Sequence, residues 1–178
     1  MTYASLNPAQ QNAVAKHVRN KIVHDLGAGD LVMSRVLLDM GASHVYAIDR
    51  NDKPELRPWP KRLHYKREYF HNLTGGMDTI FLSWPVNHET NLLPCIRGAS
   101  TVIYLGCNTG GSACGTPGLF LSFLSRRLLA YEPDARNSLI IVGESLGIPR
   151  EPTGEEMAGI SSSERMWSFE DSERACLV

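Results

Sequence analysis

The residues with the clearest chemical meaning are two acids and two glycines. Asp25-Leu26-Gly27-Ala28-Gly29-Asp30 follows a short apolar run, and Asp49 closes the next one. Glycine at a strand-to-helix turn allows backbone angles closed to other residues and lets a ligand come close to the main chain. A carboxylate at the end of the second strand can accept hydrogen bonds from both hydroxyls of a ribose. A dinucleotide would need G-x-G-x-x-G, so that its pyrophosphate can reach a helix N-terminus. Here the third position is Val32, and Asp25 would repel a pyrophosphate. A nucleoside with a positive charge beside its sugar suits this turn better, because the acid then attracts it.

Such a turn needs a strand before it and a helix after it, and the sequence supplies both. Ile22 to Leu26 reads as a strand, Asp30 to Met40 as a helix stopped by Gly41, and Val45 to Ile48 as the next strand. Upstream, Asn7-Pro8 is an N-cap with proline at the first helical position and opens a helix to about Val18. Asn51 to Pro60 holds three prolines and reads as loop. Further strands are expected at Leu63–Lys66, Thr79–Ser83, Thr101–Leu105 and Leu139–Val142, with helices at His88–Ile96 and Leu119–Leu129 and a last short strand at Arg165–Phe169. Strands alternating with helices imply an α/β fold: a three-layer, doubly wound, mostly parallel sheet of Rossmann-like type. Ligands on such sheets bind beyond the carboxyl ends of the strands. One domain is expected over residues 1–178, with an N-terminal helix in 1–20 and a mobile connection at 144–164.

Asp25 to Asp30 and Val45-Tyr46-Ala47-Ile48-Asp49 resemble the first and second motifs of class I S-adenosylmethionine-dependent methyltransferases. That ligand carries a sulfonium and an amino group and no phosphate. The resemblance implies that Gly27, Ala28 and Gly29 line its methionine part, that Asp25 steadies the turn or meets the amino group, and that Asp49, with Arg50 beside it, holds the ribose. It further implies an adenine site at Glu68, covered by Tyr69 or Phe70. Leu31 stands where the family often has a third glycine.

Asp78 to His88 occupies the segment where that family places substrate-facing residues. Ser83-Trp84-Pro85-Val86 keeps the polar residue and one proline of the amino-group methyltransferases and lacks the second proline and the aromatic. Ser83, Trp84 and His88 are therefore the candidate catalytic residues. Trp84 either stacks on a planar group or packs. His88 is either a general base or a surface cap. Together with Tyr104-Leu105-Gly106 and the glycines after it, this segment resembles a loosely defined group of methyltransferase-like proteins. That leaves two readings: transfer of a methyl group to an unidentified acceptor, or a non-catalytic methyltransferase-like module of a larger assembly.

The remaining composition mainly excludes. A net charge of -1 sets up no global field toward nucleic acid or an anionic membrane. No apolar run is long enough to span a bilayer, and the N-terminus is not a secretory signal, so a cytoplasmic protein is expected. Cys95, Cys107, Cys114 and Cys176 lack metal-ligand spacing, and no metal site is expected. Lys53, Arg57, Lys61, Arg62, Lys66 and Arg67, interleaved with Trp59, Tyr65 and Tyr69, are either an RNA-binding groove or a solvated loop and edge strand.

Overall fold

A computed structural model describes residues 5–52, 54–55, 58–69, 72–73, 76–85, 92–106, 117–134 and 137–147. His88, Phe70, Lys53, Arg57, Cys107, Cys114, Cys176 and the expected strand at 165–169 lie outside the described residues. Helix α1 (Pro8–Val18) opens with a capping box. Gln10 N–H donates to Asn7 Oδ1 at 3.0 Å and Asn7 N–H donates to Gln10 Oε1 at 3.1 Å, satisfying two N–H groups that the helix itself leaves over. The other elements are β1 (Ile22–Leu26), α2 (Val32–Asp39), β2 (His44–Asp49), β3 (Leu63–Arg67), β4 (Thr79–Ser83), α3 (Leu92–Arg97), β5 (Thr101–Gly106), α4 (Pro117–Leu124), β6 (Arg126–Glu132) and β7 (Ser138–Ser145).

The seven strands form one sheet in the order β3-β2-β1-β4-β5-β7-β6. The first five pair in parallel, while β7 runs antiparallel to both β5 and β6. Because the central strands are covered on both faces, β4 and β5 read as unbroken apolar runs rather than alternating ones. One face, with Val23, Val45, Phe81, Ile103 and Ile141, packs under α1 and α2. The other, with Ile80, Leu82, Val102, Tyr104 and Ile140, packs under α3 and α4. No helix among the described residues is long and apolar enough to cross a membrane.

Two expectations fail. The helix expected over Leu119–Leu129 ends at Leu124, and Arg126–Glu132 is strand β6. Arg-Arg-Leu-Leu-Ala-Tyr-Glu has good helix formers, but pairing with β7 overrides local propensity. Arg126 also has a buried role: it donates to the carbonyls of Gly143 (2.8 Å), Ile96 (3.2 Å) and Ala99, tying β7 to the end of α3. Glu144 and Ser145, expected to begin a connection, complete β7.

Leu31 shows how the turn works without a third glycine. It precedes α2 in the left-handed region, at φ 67 and ψ 11, and its side chain is fully buried. That conformation costs a leucine roughly 1–2 kcal/mol, whereas a buried leucine side chain is worth roughly 2–5 kcal/mol. Packing wins. Leu31→Gly is expected to destabilise the protein by about 2–3 kcal/mol in urea unfolding despite the relieved strain; a gain in stability would show that the strain outweighs the packing.

Candidate functional site

The site is assembled at the carboxyl ends of β1 and β2, beside those of β3 and β4. After Leu26 the chain turns through Gly27 (φ 79) and Gly29 (φ 52), both in the left-handed region that favours glycine. The Gly27 and Ala28 N–H groups donate to Ile48 C=O at 2.8 and 3.3 Å, which draws the turn onto the end of β2. Asp49 then locks it. Its Oδ2 accepts from Gly29 N–H and its Oδ1 from Asn51 N–H, each at 2.9 Å. A Cβ built on Gly29 would meet, among the described residues, only Gly27 O, at 4.0 Å, so a side chain is not crowded out there.

Asp25 lies beneath the turn and is wholly buried. Ser34 Oγ donates to its Oδ2 at 2.5 Å, while Oδ1 is buried with no hydrogen-bond partner among the described residues. Burial pushes this carboxyl up to about 7, against the bond from Ser34, and the nearby charges of Asp49 and Asp30 add to the rise. A buried acid beside a second acid is a place where a cation is favoured.

Beyond β3, Glu68 N–H donates to Asp49 C=O at 2.9 Å, so Glu68 stands next to the Asp49 corner. Hydrogen bonds from the Asn72 amide and Tyr69 N–H, then the nearby Lys66, hold its carboxyl below the ordinary value. Tyr69 is about half exposed, at 52%. Arg50 lies on the surface and its C=O accepts from Arg67 Nε at 3.2 Å.

At the end of β4, Ser83 is half-buried and Pro85 buried. Trp84 between them has φ 50, in the left-handed region that a bulky residue rarely adopts. Its N–H donates to Leu105 C=O at 2.8 Å and its indole Nε1–H to Asn137 Oδ1 at 2.6 Å. Asn137 lies in the β6–β7 connection, and its C=O accepts from Gln10 Nε2 at 2.5 Å. One chain of contacts thus joins α1, the β6–β7 connection and the β4 end. Sequence reading found Trp84 and missed Gln10 and Asn137, which are 127 positions apart and carry no local signal. Replacing Asn137 with Ala is expected to cost about 1–2 kcal/mol of stability. A double-mutant cycle with Trp84→Phe should show coupling of about 1 kcal/mol; strictly additive effects would dissolve the link.

Several described side chains of the basic stretch contact other parts of the chain. Trp59 Nε1–H donates to Leu63 C=O at 2.7 Å, Arg62 donates to Ala42 C=O at 2.9 Å, and Tyr65 Oη donates to Asn51 C=O at 2.8 Å. Arg67 pairs with Asp52 at 2.7 Å and Lys66 with Glu68 at 3.5 Å. Trp59 and Tyr65 pack against the α1–α2 side of the core. No group of three or more metal-ligating side chains occurs among the described residues.

No family model matches the chain, and neither does any curated protein. Solved structures do. Magnesium protoporphyrin IX methyltransferase (ChlM) from Synechocystis PCC 6803, with bound S-adenosylmethionine, matches at TM-score 0.56 and 15% identity, over 80% of this chain and 86% of that one. TrmK from M. capricolum, in complex with S-adenosylhomocysteine, matches at 0.55 and 17%, over 85% and 74%. Ribosomal protein L11 methylase from Lactobacillus delbrueckii subsp. bulgaricus matches at 0.52 and 14%, over 79% and 81%. The chain has the class I methyltransferase fold. Two of these neighbours are named for different acceptors, a porphyrin and a ribosomal protein, so the class I methyltransferase fold by itself assigns no acceptor.

Proposed function

We propose that this chain binds S-adenosylmethionine over the Gly27–Gly29 turn and transfers its methyl group to an acceptor held beyond Ser83-Trp84-Pro85. The observation that carries the reading is the Asp25–Asp49 pair around the glycine turn. Asp49, already fixed by two backbone N–H groups, retains lone pairs on both oxygens for the ribose hydroxyls. Asp25 supplies negative charge under the methionine end, where the ligand's ammonium and sulfonium would lie. Gly27, Ala28 and Gly29 give close main-chain approach, with Arg50 at the rim. Glu68 and Tyr69 flank the adenine, Glu68 as acceptor for its amino group.

When bound, the ligand supplies a methyl group on a positive sulfur that leaves as a neutral thioether. The protein's task is alignment, which can contribute several kcal/mol of barrier lowering. Ser83 and the backbone at Trp84 would orient the acceptor. The Asn137 bond holds the Trp84 indole as one wall. His88 is the candidate to take the acceptor's proton.

Calorimetry against S-adenosylmethionine, S-adenosylhomocysteine and NAD tests the proposal. Binding of the two sulfur ligands and not of NAD is expected. Failure to bind either sulfur ligand would end the reading. Binding without methyl transfer to nucleic acid, protein or small-molecule pools would leave the module reading, a ligand-binding domain without catalysis.

A further inference from the structure

Ser34 stands in the first turn of α2 and is fully buried. A hydroxyl taken out of water costs free energy unless it is bonded. Serine hydroxyls in helices ordinarily return to a carbonyl of their own backbone. This one crosses to the neighbouring strand instead and donates to Asp25 Oδ2 at 2.5 Å. Both residues are at 0% exposure, so water does not compete for the bond.

That bond makes the two carboxyl oxygens unlike. Oδ2 is held, while Oδ1 is buried with no hydrogen-bond partner among the described residues. In register Asp25 lies between Ala47 of β2 and Phe81 of β4, whose side chains have nothing to donate. Burial opposes its ionisation most, Ser34 favours it, and the negative charges of Asp49 and Asp30 oppose it. The ionisable groups of α2, Arg35 and Asp39, are exposed. On α1, Lys16 is exposed, and the half-buried His17 has its pKa lowered by burial and then by Lys16. Among the described residues, Ser34 is thus the group that favours the charged carboxylate against burial and two like charges.

We propose that Ser34 is a positioning residue for the ligand at the turn: its hydroxyl holds Asp25 through Oδ2, favours the charged carboxylate and leaves Oδ1 to face a cation. This rests on the reading of the turn as an S-adenosylmethionine site, and names the group that lets Asp25 answer the ligand near neutral pH. A hydrogen bond to a charged acceptor outweighs the same bond to a neutral one, by an amount worth about one pKa unit. Without Ser34, ionisation of Asp25 moves from about 7 to roughly one unit higher, and at neutral pH the ligand meets mostly a neutral acid. A serine that only filled space would leave that midpoint where it is.

Urea unfolding and calorimetry with S-adenosylmethionine, each across a series of pH values from mildly acid to mildly alkaline, test it. In unfolding, the stability gap between Ser34→Ala and the unaltered protein should be constant up to about pH 7. Above that it should widen and level off about one unit later, because the unaltered protein has stopped losing stability there and the variant has not. In an Asp25→Asn background the same substitution should give a gap with no pH dependence. In calorimetry, Ser34→Ala should bind roughly 5- to 10-fold more weakly about half a unit below neutrality and match the unaltered protein about two units above it. Ser34→Thr, which keeps the hydroxyl, should keep the unaltered midpoint. A gap and an affinity loss equal at every pH, with S-adenosylmethionine still bound by the unaltered protein, would make Ser34 a packing residue and overturn this proposal alone. No binding by the unaltered protein would overturn the reading of the turn, and this proposal with it.

Discussion

Replacing Asp25 with Asn is expected to stabilise the ligand-free protein at pH 8 by about 2–4 kcal/mol while abolishing most of its affinity for S-adenosylmethionine. The first half follows from linkage. Below pH 3.8 the carboxyl is protonated in both folded and unfolded chains and costs nothing. Between 3.8 and about 7 the unfolded chain ionises it and the buried one does not, so the folded state loses stability as pH rises. Above about 7 the loss is complete. A rise of about three units corresponds to roughly 4 kcal/mol, and imperfect bonding of a buried amide takes part of that back. The two proteins should therefore be close in stability at pH 4 and diverge up to pH 8, which urea unfolding at several pH values reads directly. An Asn variant less stable at pH 8 would mean that ionised Asp25 has a partner that stabilises it.

The second half concerns what the strain is for. An acid whose ionisation is delayed to about pH 7 by burial, with Asp49 adding to the rise, ionises more readily once a cation sits over it. Affinity of the unaltered protein for S-adenosylmethionine should rise from pH 6 to pH 8, with proton release on binding below pH 7. The Asn variant should bind weakly and with no such slope. A site that destabilises the empty fold and is relieved by its ligand is a common exchange of stability for function.

Which parts of this arrangement were legible in the sequence depends on how local their causes are. The turn was, because Asp25, Gly27, Gly29 and Asp49 act at the ends of adjacent strands whose apolar runs are short and well bounded. The parallel core was, because strands buried on both faces carry Ile, Val, Leu and Phe without interruption. Strand β6 was not, because Arg126 to Glu132 has helix-forming composition and is held by a partner that comes later in the chain. Nor was the bridge from Gln10 through Asn137 to Trp84, whose members meet only once the sheet has formed. The basic stretch left two readings open. Its aromatics Trp59 and Tyr65 turned out to serve the core, while His44, Tyr46 and His64, spread over two strands, form a row of stacked rings.

Asp49→Ala should weaken S-adenosylhomocysteine binding by about 3 kcal/mol, close to 150-fold, and lower stability by about 2 kcal/mol. Ribose hydroxyls bonded to a carboxylate contribute roughly 1.5–3 kcal/mol. The geometry puts the expected loss at the upper end, because the same carboxylate fixes the N–H groups of Gly29 and Asn51. Removing it leaves both N–H groups to find other partners and loosens the turn that carries the methionine end. One effect runs the other way: without the charge of Asp49, Asp25 ionises at lower pH in the folded protein, so the stability loss that begins near pH 3.8 should be smaller and complete at a lower pH. Asp49→Asn, which keeps one acceptor and loses the charge, should fall between the two in affinity. Calorimetry with S-adenosylhomocysteine at pH 7.5 separates these outcomes. If affinity is unchanged in the alanine variant while stability falls, Asp49 is a turn lock and not the ribose ligand, and the ligand must be held by Glu68 and the turn alone.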